Sequence, residues 1–393
     1  MKARPKFEVA DVFRLCREKL GPLSAKKNKV ITAILNCRTE NLGGHVYACD
    51  NLECEHEEQS YNSCRDRHCP KCQYSAKKSW VEDRVSELLP VPYFHTVFTM
   101  PHLFNELAFM NPAELYSILF WAAQESVKQL FKERYKSMPG LISILHTWGS
   151  NIIFHSHIHM LVTGGGISET GDRWISALEN YCLPVKALSK IFRAKFVEAL
   201  RKSYKANKLR LPENLKEPFA FEDFIESSFK TEWVVYTKKP FAAPIHVLNY
   251  LGNYTHRVAF SNHRIVNIEN GQVTFKYKAY HDGTHENKIM SLSCEEFCRR
   301  FLMHILPAYF VKIRFSGIFA HKNRKKNIEK SRELIAKDKR LKVLSSKDLE
   351  AIVEEFGKKN SLETDVCQKC QKGKMIKIKE TPNPTWRKSH NTS

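Results

Sequence analysis

Tyr250 and Tyr254 stand at i,i+4 in the run Pro244-Ile-His-Val-Leu-Asn-Tyr-Leu-Gly-Asn-Tyr-Thr-His-Arg257. On a helix this spacing puts both phenols on one face, a single turn apart. Upstream, Ile152-Ile-Phe-His-Ser-His-Ile-His-Met-Leu-Val162 has the composition of a strand. It would present His155, His157 and His159 on one face, with neighbours roughly 6.6 Å apart. His155 and His159 would then be about 13 Å apart, too far to share one ion with ligand distances near 2 Å. A metal pair is therefore His155 with His157, or His157 with His159. A phenol ionises near pH 10 and is a weak nucleophile at neutral pH. A divalent ion that polarises a phosphate and orients its phosphorus for in-line attack would supply the missing help. Imidazoles and phenols in this combination suit phosphodiester exchange.

The second chemical cluster is sulfur. Between Cys37 and Cys72 lie six cysteines and three histidines, amid glycines and polar residues. Such a segment has too little apolar content to fold without a staple. Cys69-Pro-Lys-Cys72 reads as a tight zinc knuckle, and Cys49 with Cys54 is the opposite pair within the usual spacing, giving a tetrahedral four-sulfur site for structural Zn²⁺. Cys37, His45, His56, Cys64 and His68 remain as ligands for a second site or as substitutes. Cys367 and Cys370 form half a site, while Cys16, Cys182, Cys294 and Cys298 read as packing residues.

The elements that must position these groups alternate between helical and strand periodicity. Residues 7–36 read as helical through Val9, Val12, Phe13, Cys16 and Leu20. A helix is expected over 74–89, then a boundary at Pro90-Val-Pro92 and a strand from Tyr93 to Met100. Helical spacing runs over 112–135, and the histidine strand covers 152–163 before a glycine turn at Gly164-Gly165-Gly166. Residues 167–225 look like an insertion, with a helix near 188–204. A short strand follows at 233–236. Ala243-Pro244 opens the tyrosine helix, with proline in its first turn. Residues 257–281 suggest a hairpin turning at Asn270-Gly271. A helix over 294–306 and a helical region over 320–358 complete the reading, with a disordered tail. The class is α+β.

At 393 residues the chain has room for two or three domains, and 42% hydrophobic with 11% aromatic content excludes global disorder. A net charge of +21, spread along the chain, points to a polyanionic partner. The first residues lack the apolar core of a signal peptide, and no stretch of about eighteen apolar residues suggests a membrane span. Twelve cysteines in that context favour a reducing compartment with clustered thiols on metal. The expected setting is cytoplasmic and nucleoid-associated, with no membrane partner.

Four segments together resemble the two-tyrosine, rolling-circle transposases of the insertion-sequence-91 type. His157-Ile-His159-Met-Leu-Val-Thr-Gly-Gly-Gly looks like the His-hydrophobe-His (HUH) motif, and Tyr250-Leu-Gly-Asn-Tyr254-Thr-His-Arg257 like the tyrosine motif. Cys37 through Tyr47 and Tyr61 through Gln73 look like the family's zinc-binding region, and Pro92 through Pro101 like its first core strand. The resemblance spans residues 10–330 and selects His157 and His159 as ligands for Mg²⁺ or Mn²⁺. It implies Tyr250 and Tyr254 as nucleophiles forming 5′-phosphotyrosine links to single-stranded DNA at transposon ends, with transfer to target DNA. It also implies an HUH-type antiparallel sheet core flanked by helices. His246, at i−4 from Tyr250, is the candidate third ligand, and Lys238, Lys239 and Arg257 are candidate phosphate contacts. Lys322, Arg324, Lys325, Lys326 and Lys330 begin a basic helical region suited to DNA phosphates.

The organisation that follows is a helical, zinc-binding DNA-recognition domain over 1–89, a nuclease and transferase domain over 90–320, and a basic region and tail over 321–393. Two alternatives use parts of the same chemistry: a plasmid replication initiator or relaxase, and a non-catalytic zinc-dependent DNA-binding protein. A long helicase region would favour the initiator, and the sequence shows none. Oligomer formation, the DNA sequences recognised and the order of tyrosine use stay open.

Overall fold

The computed structural model describes residues 5–72, 84, 87–178, 183–238, 258–281, 284–338 and 366–384. The N-terminal part begins with helices Val9–Cys16 (α1) and Ala25–Asn36 (α2). Val9, Val12, Phe13 and Cys16 are all buried, as three-to-four spacing requires for one apolar face. The expected continuous helical run is broken after Leu20, where Gly21 takes φ +62°. The hairpin strands Gly44–Cys49 (β1) and Glu57–Tyr61 (β2) follow.

The central body starts with strand Tyr93–Thr99 (β3), a short helix Asn105–Met110 (α3) and the long helix Pro112–Tyr135 (α4), with proline in its first turn. Strands Ser137–Trp148 (β4), Phe154–Ser168 (β5) and Trp174–Ser176 (β6) come next, then helices Val185–Lys205 (α5) and Pro218–Ser227 (α6) and strand Val235–Lys238 (β7). Strands Ile265–Glu269 (β8), Gln272–His281 (β9) and Thr284–Ser293 (β10) form a meander ahead of helix Cys294–Met303 (α7). Asn270 and Gly271 link β8 to β9 at φ +50° and +71°, the left-handed pair that a two-residue hairpin turn requires. Strand Ile313–Gly317 (β11), helix Arg324–Lys337 (α8) and strand Met375–Thr381 (β12) complete the described elements.

The core sheet runs β11-β4-β5-β3-β7, with β6 also paired to β5 and every pairing antiparallel. Strand β5 is therefore central. On one face Phe94, Phe98, Leu145, Ile158 and Met160 pack with apolar residues of α4 and α5. On the other, Tyr93, Ile142, Ile144 and Leu161 pack with Ile328, Leu334 and Ile335 of α8. A separate apolar cluster joins α1 and α2 to Phe260, Phe275 and α7. There Cys16, Cys294 and Cys298 are buried as packing residues, with the Cys16 and Cys298 sulfurs 3.0 Å apart. Cys182 lies outside the described residues. Among the described residues no helix is long and apolar enough to cross a membrane.

The structure departs from the sequence reading at three places. Gly164-Gly165-Gly166 is not a turn but continues β5 to Ser168. Its glycines serve close approach instead. A Cβ on Gly164 would lie 2.8 Å from the Pro92 carbonyl oxygen, and one on Gly166 would lie 2.4 Å from that of Met138. Strand β4 is an addition to the sequence reading; the chain absorbs Pro139 and Gly140, both poor strand residues, at a bulge between Pro139 and Leu141. The tail expected to be disordered instead carries β12, which pairs with β1 and closes a β12-β1-β2 sheet.

Ile158, fully buried between two outward histidines, reports directly on this alternation. Ile158→Ala should lower unfolding free energy by roughly 2–5 kcal/mol and Ile158→Val by roughly 1 kcal/mol, read from denaturant midpoints. An Ile158→Ala midpoint equal to that of the parent would contradict the strand register.

Candidate functional site

Strand β5 turns His155, His157 and His159 to one face, and its neighbours add two more imidazoles. His146 of β4 is directly opposite His157, and Val97 of β3 opposite His159, which sets His95 two residues along on the same face. The His157 and His159 Nε2 atoms approach to 3.1 Å. The ligand nitrogens of His146, His157 and His159 all lie within 4.8 Å of one another. His155 is not in this group; its ring packs against His102, with centroids 5.4 Å apart.

The far side of each converging ring is occupied. His157 Nδ1–H donates to the His155 carbonyl oxygen at 2.7 Å, leaving the Nε2 lone pair toward His159. His159 Nδ1 and His95 Nε2 are 2.9 Å apart. Burial, with the positive charge of Lys238 adding to it, pushes His95 down to about 3. Neutral at physiological pH, His95 accepts the Nδ1–H of His159 and frees that ring's Nε2 also. His146 is 2% exposed and stacks on Trp148 with ring centroids 4.7 Å apart. An octahedral cation with ligands at about 2.1 Å holds adjacent donor atoms about 3 Å apart, which matches the His157 and His159 separation. The residues present therefore fit a divalent ion.

Lys238 ends β7 opposite His95 at the sheet edge. The segment that follows contains Lys239, His246, Tyr250, Tyr254 and Arg257, and these lie outside the described residues. The chain resumes at Val258 and Ala259, which line a small cavity with Trp148, His304 and Lys312. Both flanks of the tyrosine segment thus reach the neighbourhood of the histidine cluster. His146 escaped the sequence reading. Its signal was the strand-like run Leu141-Ile-Ser-Ile-Leu-His-Thr-Trp148, whose histidine acquires meaning only from its register against His157.

The cysteines form two groups, and the pairing read from the sequence is corrected. Cys69 and Cys72 join Cys37 and Cys64, whereas Cys49 and Cys54 join Cys367 and Cys370. The cause is β1, whose antiparallel pairing with β12 brings Cys49 opposite Met375. In the first group the Cys72 sulfur is 3.4 Å from that of Cys37 and 3.6 Å from that of Cys64. Sulfurs at 2.3 Å from a tetrahedral zinc would be about 3.8 Å apart. Pairing with Cys37, Cys64 and Cys72, reinforced by burial, strongly raises the Cys69 thiol, so this cluster ionises fully only around a cation. His68 is not a member. Its Nδ1–H donates to Asp66 at 3.0 Å, and its Nε2 accepts from the Leu306 amide at 3.2 Å. With Arg67, which donates to the carbonyl oxygens of Pro307 and Phe310, it docks the cysteine module onto residues 306–310.

The chain is similar to known proteins. A family model described as "Putative transposase" matches residues 140–327, and one described as "Transposase zinc-binding domain" matches residues 9–100. A protein of Sinorhizobium fredii named "Putative transposase y4qJ" is 41% identical over 388 residues, covering 96% of each chain. The "Transposase for insertion sequence element IS801" of Pseudomonas savastanoi pv. phaseolicola is 27% identical over 318 residues, covering 77% of this chain and 72% of that relative. No solved structure matches the chain.

A fully buried His304 braces the β4–β5 connection, its Nε2–H donating to the Ile152 carbonyl oxygen and its Nδ1 accepting from the Thr147 hydroxyl. Burial pushes it down to about 4. The unfolded chain takes up this proton near pH 6.5 while the folded chain resists it, so stability falls as pH drops from 6.5 toward 4. Between pH 7 and pH 5 the parent should lose about 2 kcal/mol more than His304→Gln, compared by denaturant unfolding. Equal losses would contradict the assignment.

Proposed function

This chain belongs to the insertion-sequence-91 family of transposases, and we propose that it cleaves and rejoins single-stranded DNA through Tyr250 and Tyr254. The observation that carries the reading is the convergence of the His157 and His159 Nε2 atoms at 3.1 Å, on a face that Lys238 flanks immediately ahead of the tyrosine segment. A divalent ion held there would polarise the scissile phosphate and orient its phosphorus. His157 and His159 would hold it, and His146 is favoured over His246 as the third ligand, because its nitrogen already lies with the other two. Three imidazoles suit Mn²⁺ better than Mg²⁺, which prefers oxygen donors and retained water.

In each transfer a phenol oxygen attacks the phosphorus and a phosphotyrosine bond to the 5′ end forms. The bond to the 3′ oxygen breaks, and that oxygen leaves as a hydroxyl carrying the proton the phenol gave up. One phosphodiester is exchanged for another, so the step needs no nucleotide cofactor. Two tyrosines allow two DNA ends to be held in succession. Lys238, Lys239 and Arg257 are placed in sequence to contact phosphates, and the +21 charge supplies long-range attraction to DNA. Zn²⁺ on Cys37, Cys64, Cys69 and Cys72 would be structural, folding a module that recognises DNA ends rather than cutting them.

With a 5′-labelled and a 3′-labelled single-stranded end, the parent should form a covalent protein–DNA adduct with either Mn²⁺ or Mg²⁺, at lower concentrations of Mn²⁺. Joint replacement Tyr250→Phe and Tyr254→Phe should abolish it, and an adduct persisting in that variant would sink the mechanism. His146→Ala should lower Mn²⁺-supported cleavage by roughly 10- to 100-fold and raise the Mn²⁺ concentration required. Unchanged metal dependence would return the third position to another residue.

A further inference from the structure

We propose that Cys49, Cys54, Cys367 and Cys370 bind a second structural Zn²⁺ that staples the C-terminal segment to the N-terminal module. The Cys49 and Cys370 sulfurs are 3.6 Å apart and those of Cys54 and Cys367 3.8 Å apart, with all four within 4.8 Å of one another. A tetrahedral four-thiolate zinc site has edges of about 3.8 Å. Disulfide sulfurs would instead be about 2.05 Å apart. The match described as a transposase zinc-binding domain ends at residue 100, so half of this site comes from chain beyond it.

The backbone around these sulfurs has the form of a metal knuckle. In Cys367-Gln-Lys-Cys370-Gln-Lys-Gly373 the Cys367 amide donates to the Gly373 carbonyl oxygen at 2.7 Å, and the Gln371 amide to that of Cys367 at 2.8 Å. Gln371 takes φ +56° to close the turn. The Gly373 amide then points at the Cys370 sulfur, 3.4 Å away, a donor that favours a thiolate. A Cβ on Gly373 would sit 2.5 Å from the Cys49 sulfur, so only glycine lets the two halves approach this closely. Across the junction the Asp50 amide donates to the Lys374 carbonyl oxygen at 2.9 Å, and the Lys374 amide returns to the Asp50 carboxylate at 2.6 Å. The β1–β12 ladder extends the same closure from Cys49 opposite Met375 to Gly44 opposite Thr381.

Two features make this a staple rather than a local turn. Cys54 and Cys367 are separated by 313 positions, so the ion closes a loop spanning most of the chain and restricts the unfolded ensemble accordingly. Strand β12 is also exposed along most of its length, with Ile376 and Ile378 about half exposed. Little apolar burial is available to hold it, and the metal supplies the fastening. The two cysteine groups share no ligand, which makes the second ion removable without loss of the first.

The test is zinc content by elemental mass spectrometry on full-length protein, with free thiols counted in parallel. Two zinc ions per chain are expected, falling to one when Cys367→Ser and Cys370→Ser are combined. A protease site placed within residues 339–365 gives an independent measurement on otherwise intact protein. After cleavage the C-terminal piece should remain bound through gel filtration and leave when a zinc chelator is added. One zinc per chain in both parent and variant would overturn the proposal, as would one zinc with four thiols lost to disulfides. A piece that departs before chelation, or stays after it, would overturn the stapling role.

Discussion

The two-residue period of β5 is the constraint on which the rest of the molecule depends. Strand geometry sends Ile158 into the core and sets His157 and His159 on the opposite face. Because β5 is central, both of its ladders are used, and each adds an imidazole: His146 from β4 and His95 from β3. The division of labour follows from burial. His95, buried and held neutral, orients His159, and the His155 carbonyl orients His157, so both Nε2 atoms face the same point. Apolar packing of α4 and α5 behind the sheet gives this geometry its rigidity. A one-residue slip of β5 would turn the histidines into that core.

Around this rigid face the protein fastens its small modules by sulfur and hydrogen bonds as well as by apolar packing. The cysteine-rich stretch has little core of its own, and its first thiol group sits beside the contact through Arg67 and His68 with residues 306–310. Helices α1 and α2 share a cluster with Phe260, Phe275 and α7, and so tie the N-terminal part to the chain that follows the tyrosine segment. The module is thereby anchored close to Trp148, the residue that stacks on His146.

Much of the frame was legible in the sequence because its signals are local. Helix α4 matches the periodicity over residues 112–135, β3 ends at a proline, and Asn270-Gly271 turns the β8–β9 hairpin as two left-handed residues must. The histidine strand was equally local, whereas its own spacing left the choice between His155/His157 and His157/His159 open, and only the family resemblance singled out the second pair. What was hidden depends on long-range pairing. His146 is an ordinary strand histidine until the β4–β5 register sets it opposite His157. Cys49 and Cys54 were matched with their sequence neighbours because spacing rules work within one segment, whereas the β12 ladder reaches back from residues 375–381. Glycines 164–166 looked like a turn because their composition cannot distinguish a bend from three strands crowding together.

The central claim, a metal centre made by β4 and β5 for tyrosine attack on DNA, is most directly tested by anomalous diffraction from crystals soaked in Mn²⁺ with a single-stranded DNA end. A manganese peak about 2.2 Å from the Nε2 atoms of His157 and His159 and from a ring nitrogen of His146, with a DNA phosphate in its coordination sphere, is the expected result. Manganese bound elsewhere, or a phosphate held by the protein with no ion at the histidines, would contradict it.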